Sequence, residues 1–193
     1  DIWNGINGGG PSGFTLMNGE LFFSATDSYS IHGNELWKTD GTEEGTTMVK
    51  DIRDGSDSSN PGEFTVLNGE LYFRADDGVH GVELWKTDGT SIGTILVADI
   101  DEDSSSYPAY LTEFNSELYF RASNGEDGVE LWKTDGTGAE LVKDINDGES
   151  ASSFLQNFIE MDGELYFMAD DGEHGNEIWK TNGTEEGTIM VVD

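Results

Sequence analysis

An all-β chain built from one unit repeated four times is the fold class this sequence predicts, and three observations carry that prediction. First, the string Glu-Leu-Trp-Lys-Thr-Asp-Gly-Thr recurs almost unchanged. It starts at Glu35, Glu83 and Glu130, and again at Glu177 with Ile178 for Leu and Asn182 for Asp. The starts are 48, 47 and 47 residues apart, a period that marks supersecondary units stacking in a row or closing into a ring. Second, helical periodicity is absent, and 26 glycines are scattered too densely for long helices. Third, each repeat reads as short apolar runs broken by Gly-containing turns.

The second repeat shows the pattern. Glu63–Leu67 is an apolar run ended by Asn68-Gly69, a strong two-residue hairpin signal. Leu71–Ala75 is rich in aromatics and stops at Asp76-Asp77-Gly78. Val82–Thr87 makes a third strand, ended by Asp88-Gly89, and Thr94–Ala98 a fourth. Four strands in sequence make an antiparallel meander. Meanders at this period are the blades of a β-propeller, so the expected architecture is a single four-bladed propeller domain. Its repeats run approximately over 1–50, 51–98, 99–143 and 144–193. Asp1-Ile2 matches Asp51-Ile52, Asp99-Ile100 and Asp144-Ile145, so four complete blades are expected to bring the two ends together. The alternative is a fragment of a longer propeller array.

ELWKTDGTEEGT, with NGELYF some fifteen residues before it, resembles the ELWxxDGT repeats of large secreted bacterial proteins. The resemblance covers all four repeats. It implies a secreted or cell-surface propeller, often one part of a longer chain, and so an extracellular setting.

Composition narrows the function classes. Forty Asp and Glu against nine Lys and Arg give a formal charge of −31. Such a surface repels phosphate backbones and anionic lipid, which argues against nucleic-acid and membrane-surface binding. It attracts cations, and calcium above all, because carboxylate oxygens are its preferred ligands. With no cysteine, disulfides, thiolate metal ligands and a cysteine nucleophile are excluded. No apolar stretch approaches the length of a membrane-spanning helix.

Candidate residues follow from where repeats agree and where they differ. Asp99, Asp101 and Asp103 alternate like the opening of an Asp-x-Asp-x-Asp calcium loop, without its Gly and downstream Glu. Asp76 and Asp77 recur as Asp170 and Asp171, near Glu83 and Glu177, and form a second candidate metal cluster. Trp3 stands where the other repeats carry Arg53, Asp101 and Asn146; an aromatic in a polar loop is the candidate ligand contact. The repeated Trp37, Trp85, Trp132 and Trp179 are expected between blades. Lys38, Lys86, Lys133 and Lys180, on the opposite side of that strand, are expected to pair with carboxylates of an adjacent blade. His32, His80 and His174 read as isolated loop histidines.

No nucleophile elbow, phosphate-binding loop or metalloprotease motif is present. Carboxylates that recur once per blade suggest multivalency, whereas catalysis needs an asymmetric site. The expected function is therefore a non-enzymatic binding module, lectin-like or adhesive, recognising carbohydrate or another surface ligand with calcium-stabilised loops. A structural building block of an extracellular matrix, with self-association, is the alternative. A polysaccharide hydrolase, which needs only two carboxylates, ranks third.

Overall fold

In the computed structural model, residues 9–27, 31–148 and 150–192 are described. They form sixteen strands and four separate four-stranded antiparallel sheets. Blade one comprises β1 (Ser12–Met17), β2 (Glu20–Thr26), β3 (Asn34–Thr39) and β4 (Thr47–Lys50). Blade two comprises β5 (Gly62–Leu67), β6 (Glu70–Asp76), β7 (Val82–Thr87) and β8 (Ile95–Ala98). Blade three has β9 (Ala109–Phe114), β10 (Glu117–Ser123), β11 (Val129–Thr134) and β12 (Glu140–Lys143). Blade four has β13 (Gln156–Met161), β14 (Glu164–Asp170), β15 (Asn176–Thr181) and β16 (Ile189–Val192). Each sheet keeps its strands in chain order. The fold is all-β, with the blade count and blade topology of a four-bladed β-propeller. The chain divides into two compact units, Asp1–Val97 and Ala98–Asp193.

Local chemistry sets each turn. Asn18-Gly19 and Asn68-Gly69 both have positive φ at the two loop residues, the geometry that matches the twist of adjoining strands. Asp162-Gly163 does the same in blade four, whereas blade three must place Asn115 and Ser116 there. After the third strand, the Asp-Gly-Thr turn closes on itself. Asp40 Oδ1 accepts from the Thr42 amide at 2.9 Å and from its hydroxyl at 2.7 Å. Asp88, Asp135 and Asn182 repeat this with Thr90, Thr137 and Thr184. Asn182 keeps the turn because its amide oxygen accepts as a carboxylate does.

Strand register sorts the side chains onto two faces. Phe23, Phe73, Phe120 and Phe167 lie opposite Trp37, Trp85, Trp132 and Trp179. Ser24 and Met168 lie opposite Leu36 and Ile178 on the other face. In the first unit, Met17, Phe22, Leu36 and Val49 of blade one pack against Leu71, Phe73, Ala75 and Trp85 of blade two. In the second unit, Phe114, Tyr119, Leu131 and Val142 of blade three pack against Leu165, Phe167, Ala169 and Trp179 of blade four. Within each unit, one face of the first blade therefore meets the opposite face of the second. Each large apolar side chain so buried contributes about 1.5–3 kcal/mol.

Trp85 and Trp179 thus lie between blades within their units, as expected. The repeated Lys departs from expectation. Lys38 pairs with Glu20 at 3.0 Å, Lys86 with Glu70 at 3.0 Å and Lys180 with Glu164 at 2.8 Å, all within one blade. Lys133 pairs with Glu117 and Glu140, again in its own blade. The reason is register: Lys38 lies opposite Phe22, and Glu20 is the diagonal neighbour on the same face, within reach of a long side chain.

Between blades the chain passes closely over a glycine. Gly33 and Gly128 have φ of +69° and +80°. A Cβ on Gly128 would stand 1.9 Å from the Ala151 carbonyl oxygen, and one on Gly33 2.2 Å from that of Asp57. Backbone cannot yield as a flexible side chain can. Gly128→Ala is expected to cost about 2–4 kcal/mol, combining left-handed strain with the forced shift. Chemical denaturation checks this; a loss below about 1 kcal/mol would show that the crossing is loose.

Candidate functional site

Two kinds of carboxylate emerge, and only one is available for chemistry. The first is the Glu that opens each ELWK string. Strand alternation places Glu35 on the same side as Trp37, and Glu35, Glu83 and Glu130 are fully buried. Glu35 accepts hydrogen bonds from the Ser59 amide at 2.8 Å, the Ile52 amide at 3.0 Å and the Ser59 hydroxyl at 2.5 Å. Glu130 accepts from the amides of Ile145 at 2.8 Å and Ser153 at 2.9 Å. Each glutamate thereby ties its own blade to the linker that enters the next. Burial raises both from the usual 4.5 to about 7, with Asp51 and Asp144 adding repulsion and the hydrogen bonds opposing the rise. In the sequence the repeated Glu stands beside the Asp pairs of a candidate metal cluster, and the structure instead turns it inward. The overlooked signal was the alternation that turns it inward with Trp.

The Asp pairs of that cluster are hairpin chemistry. Asp76 pairs with the Arg53 guanidinium and accepts from the Gly78 amide at 2.7 Å. Asp77 accepts from the amides of Val79 and His80, both at 2.9 Å, and its other oxygen lies 2.7 Å from the His80 ring. In blade four, Asp170 caps Gly172 at 2.7 Å, while Asp171 takes the amides of Glu173 and His174 and sits 2.8 Å from the His174 ring. The His174 amide and then its ring hold Asp171 down at about 2. His32 is held in the same way by Asp27 at 2.6 Å. In blade three, Asn124 and Asp127 take these places, 2.7 Å apart. The loop histidines each have an Asp partner in their own turn. Among the described residues, no group of three or more His, Asp or Glu is placed to hold a metal ion.

The second kind of carboxylate lines a cavity of about 640 Å³ in the second unit. The segment Asp99–Ser104 forms one wall, and the turn at Asn124, Gly125 and Glu126 forms the other. Asp101 is buried, at 7% exposure, while Glu102, Asp103 and Glu126 are exposed. The Asp103 amide reaches Asp101 Oδ1 at 3.4 Å, and the Ser104 amide donates to the Asp101 carbonyl at 3.0 Å. Gly125 allows the close approach: a Cβ there would stand 3.2 Å from both Asp101 carboxylate oxygens. One oxygen of Asp99 is buried without a hydrogen-bond partner, as is one of Asp51 and one of Asp144. The structure thus brings Asp99, Asp101 and Asp103 to one cavity, and leaves Asp76, Asp77, Asp170 and Asp171 in their separate turns. Trp3 and Asp1-Ile2 lie outside the described residues.

No protein-family model matches this chain, and no curated protein matches it in sequence. Solved structures do match in fold. A puromycin hydrolase aligns over 95% of this chain and 30% of its own, with TM-score 0.56 and 13% identity. A structure from a study of two prolyl endopeptidases aligns over 89% of this chain and 24% of its own, with TM-score 0.56 and 14% identity. A GH74 xyloglucanase from Xanthomonas campestris aligns over 94% of this chain and 30% of its own, with TM-score 0.51 and 14% identity. The chain spans less than a third of each. At these identities the likeness is one of fold.

The comparison corrects the expectation of a non-enzymatic module, lectin-like or structural. That expectation rested on the premise that repeated blades favour equivalent sites over a catalytic one. The propeller chains that this one resembles are hydrolases, so repetition gives no ground for excluding catalysis. The premise also fails within the chain. The cavity of blade three combines Asp99, Asp101, Asp103 and Glu126, whereas the same loops elsewhere carry Asp51-Ile52-Arg53-Asp54 and Asp144-Ile145-Asn146-Asp147. Repeats that share a backbone need not share a site.

The buried glutamates make stability depend on pH. Their raised values mean that the folded state binds protons more tightly than the unfolded chain between about 4.5 and 7, so stability falls as pH rises through that window. The melting temperature is expected to be higher at pH 5 than at pH 8. In a Glu35→Gln, Glu130→Gln double variant the difference should shrink, because general charge repulsion remains but these two protons do not. A double variant with an unaltered pH profile would refute the assignment.

Proposed function

We propose that this chain is part of a hydrolase that acts on polysaccharide, with the acidic cavity of blade three as its site. The observation that carries the proposal is one buried carboxylate, Asp101, in the same cavity as the exposed carboxylates Asp103 and Glu126. Glycoside hydrolysis uses two carboxylates in distinct roles, and different surroundings are what let two carboxylates divide those roles. The cavity is polar and open, which suits a hydroxyl-rich substrate. The fold likeness to a xyloglucanase supports a polysaccharide. The likeness to peptidases is answered by a sequence that carries carboxylates in abundance and no nucleophile motif. The resemblance of the repeat to secreted bacterial proteins supports work outside the cell.

The test is release of reducing ends from xyloglucan, arabinoxylan and mixed-linkage glucan by the purified chain. Release is expected from at least one, and Asp101→Asn should slow it about a hundredfold or more with the circular dichroism unchanged. Failure to cleave any of the three, or full activity in the variant, would refute the reading.

Calcium enters this proposal as an ion that would draw Asp99, Asp101 and Asp103 together on binding, since among the described residues no three such groups stand ready to hold a metal ion. A ligand that binds only the folded state raises the melting temperature. Millimolar calcium should do so in the native chain and not in Asp101→Asn, while an unmoved native melting temperature would remove calcium from the account.

A further inference from the structure

Blades three and four carry an aromatic at a place where blades one and two carry residues suited to the backbone there. Gly10, Asn60, Tyr107 and Phe154 hold equivalent positions just before β1, β5, β9 and β13, with φ of +57°, +50°, +49° and +53°. Gly and Asn take this left-handed conformation at little cost, whereas a bulky side chain is strained in it. Such strain persists only where the surroundings enforce it, and it clusters at ligand sites.

Both aromatics line one pocket of about 250 Å³, together with Arg121, Val129 and Ser152. All five residues belong to the second unit, in blade three and in the segment that enters blade four. Within that unit Tyr107 and Phe154 are at least 61% and 59% exposed, since a neighbour can only remove surface. Arg121 is held in place from two sides. Its Nη1 donates to the Leu155 carbonyl at 3.2 Å, and its guanidinium lies 4.7 Å from the centre of the Tyr110 ring. Among the described residues it has no carboxylate partner, unlike Arg53 and the four repeated lysines. A guanidinium has five N–H donors, so the bond to Leu155 leaves others for a ligand.

Aromatic faces beside fixed donors complement a sugar ring, which has an apolar C–H face and a rim of hydroxyl oxygens. The pocket falls below the range of about 300–1,000 Å³ typical of drug-sized ligands, so it suits a single ring. The formal charge of −31 repels anionic polysaccharide, which leaves neutral chains. Position points the same way. Tyr107 follows Asp103 by four residues in one linker, which keeps their Cα atoms within about 14 Å of each other. The Ser123 amide donates to the Ser106 carbonyl at 2.9 Å, tying that linker to the end of β10, next to Asn124, Gly125 and Glu126. Linker and hairpin thus contribute to both the pocket and the acidic cavity.

We propose that the pocket of Tyr107, Arg121 and Phe154 binds one ring of a neutral polysaccharide and so holds the chain beside the acidic cavity. In naming the substrate class, this rests on the reading of blade three as a hydrolase site.

The test is calorimetric titration of cellohexaose, xylohexaose and a galacturonic acid hexamer into Asp101→Asn, where binding is read without cleavage. At least one neutral hexamer is expected to bind, and the acidic one is not. Tyr107→Asn and Phe154→Asn, each in that background, install the residue that blade two uses. Each should weaken binding about tenfold or more. Each should also raise the melting temperature by about 2–4 °C, because the left-handed strain is relieved. A lowered melting temperature would make the aromatics structural and overturn the proposal. So would unchanged binding in both variants, no binding of either neutral hexamer, or equally tight binding of the acidic one. Binding by Asp101→Asn without cleavage by the native chain supports the pocket and refutes the hydrolase reading alone. Cleavage whose KM is unmoved by Tyr107→Asn and by Phe154→Asn overturns the pocket alone.

Discussion

A four-stranded meander has two faces and can hide neither by itself, and this constraint organises the molecule. Hydrophobic burial is possible only when the face carrying Leu36 or Leu131 meets the face carrying Phe73 and Trp85 or Phe167 and Trp179. The directionality is built into the ELWK strand. Its Leu and Lys project one way, and its Glu and Trp the other. A strand that offers a different surface on each side can only stack in one sense, so within each unit the first blade sets the orientation of the second.

The buried glutamates secure that stacking at the backbone. Glu35 and Glu130 take up amide groups from the linkers that lead into the following blades. Without an acceptor, those amides would be buried and unpaired, at a cost of about 1–3 kcal/mol each. The glycine under each crossing is the matching concession, since the linker backbone lies where any side chain would be. Packing, buried acceptor and glycine recur in both units, which is why the repeat tolerates so little change at Glu, Leu, Trp and Gly. Linker and loop positions that meet neither the buried glutamate nor the crossing glycine are under no such constraint. Blade three uses that freedom to collect its acidic cavity.

The acidic charge acts in two ways at once. Across the surface it keeps the chain solvated and repels other anions. In the cavity of blade three it is concentrated, with one carboxylate buried and others at the mouth. Elsewhere most loop carboxylates are spent within their own turns, on amides, on Arg53 or on the loop histidines. Counting acidic residues therefore overstates the number free to act. The distinction between spent and free carboxylates is geometric.

Fold class, blade number and strand positions were legible in the sequence because they depend on local rules: period-two alternation, Asn-Gly and Asp-Gly turns, and a fixed repeat length. The strands predicted for the second repeat lie within about one residue of β5 to β8. The inter-blade place of Trp85 and Trp179 was legible too, since it follows from alternation within one strand. What the sequence could not determine was partnership between residues distant along the chain. The Lys partner depended on cross-strand register, and turned out to be Glu20, Glu70, Glu117 or Glu164 of the same blade. The role of Glu35 depended on where a linker some twenty residues later crosses it. The grouping of Asp99, Asp101 and Asp103 with Glu126, and the separation of Asp76 and Asp77 from any such group, depended on how loops converge in space. Local sequence fixes the conformation of a strand or turn, because those forces act between near neighbours. Only the tertiary structure decides which carboxylates end in hydrogen bonds and which face a cavity, because that outcome is settled by contacts between segments that the chain order does not relate.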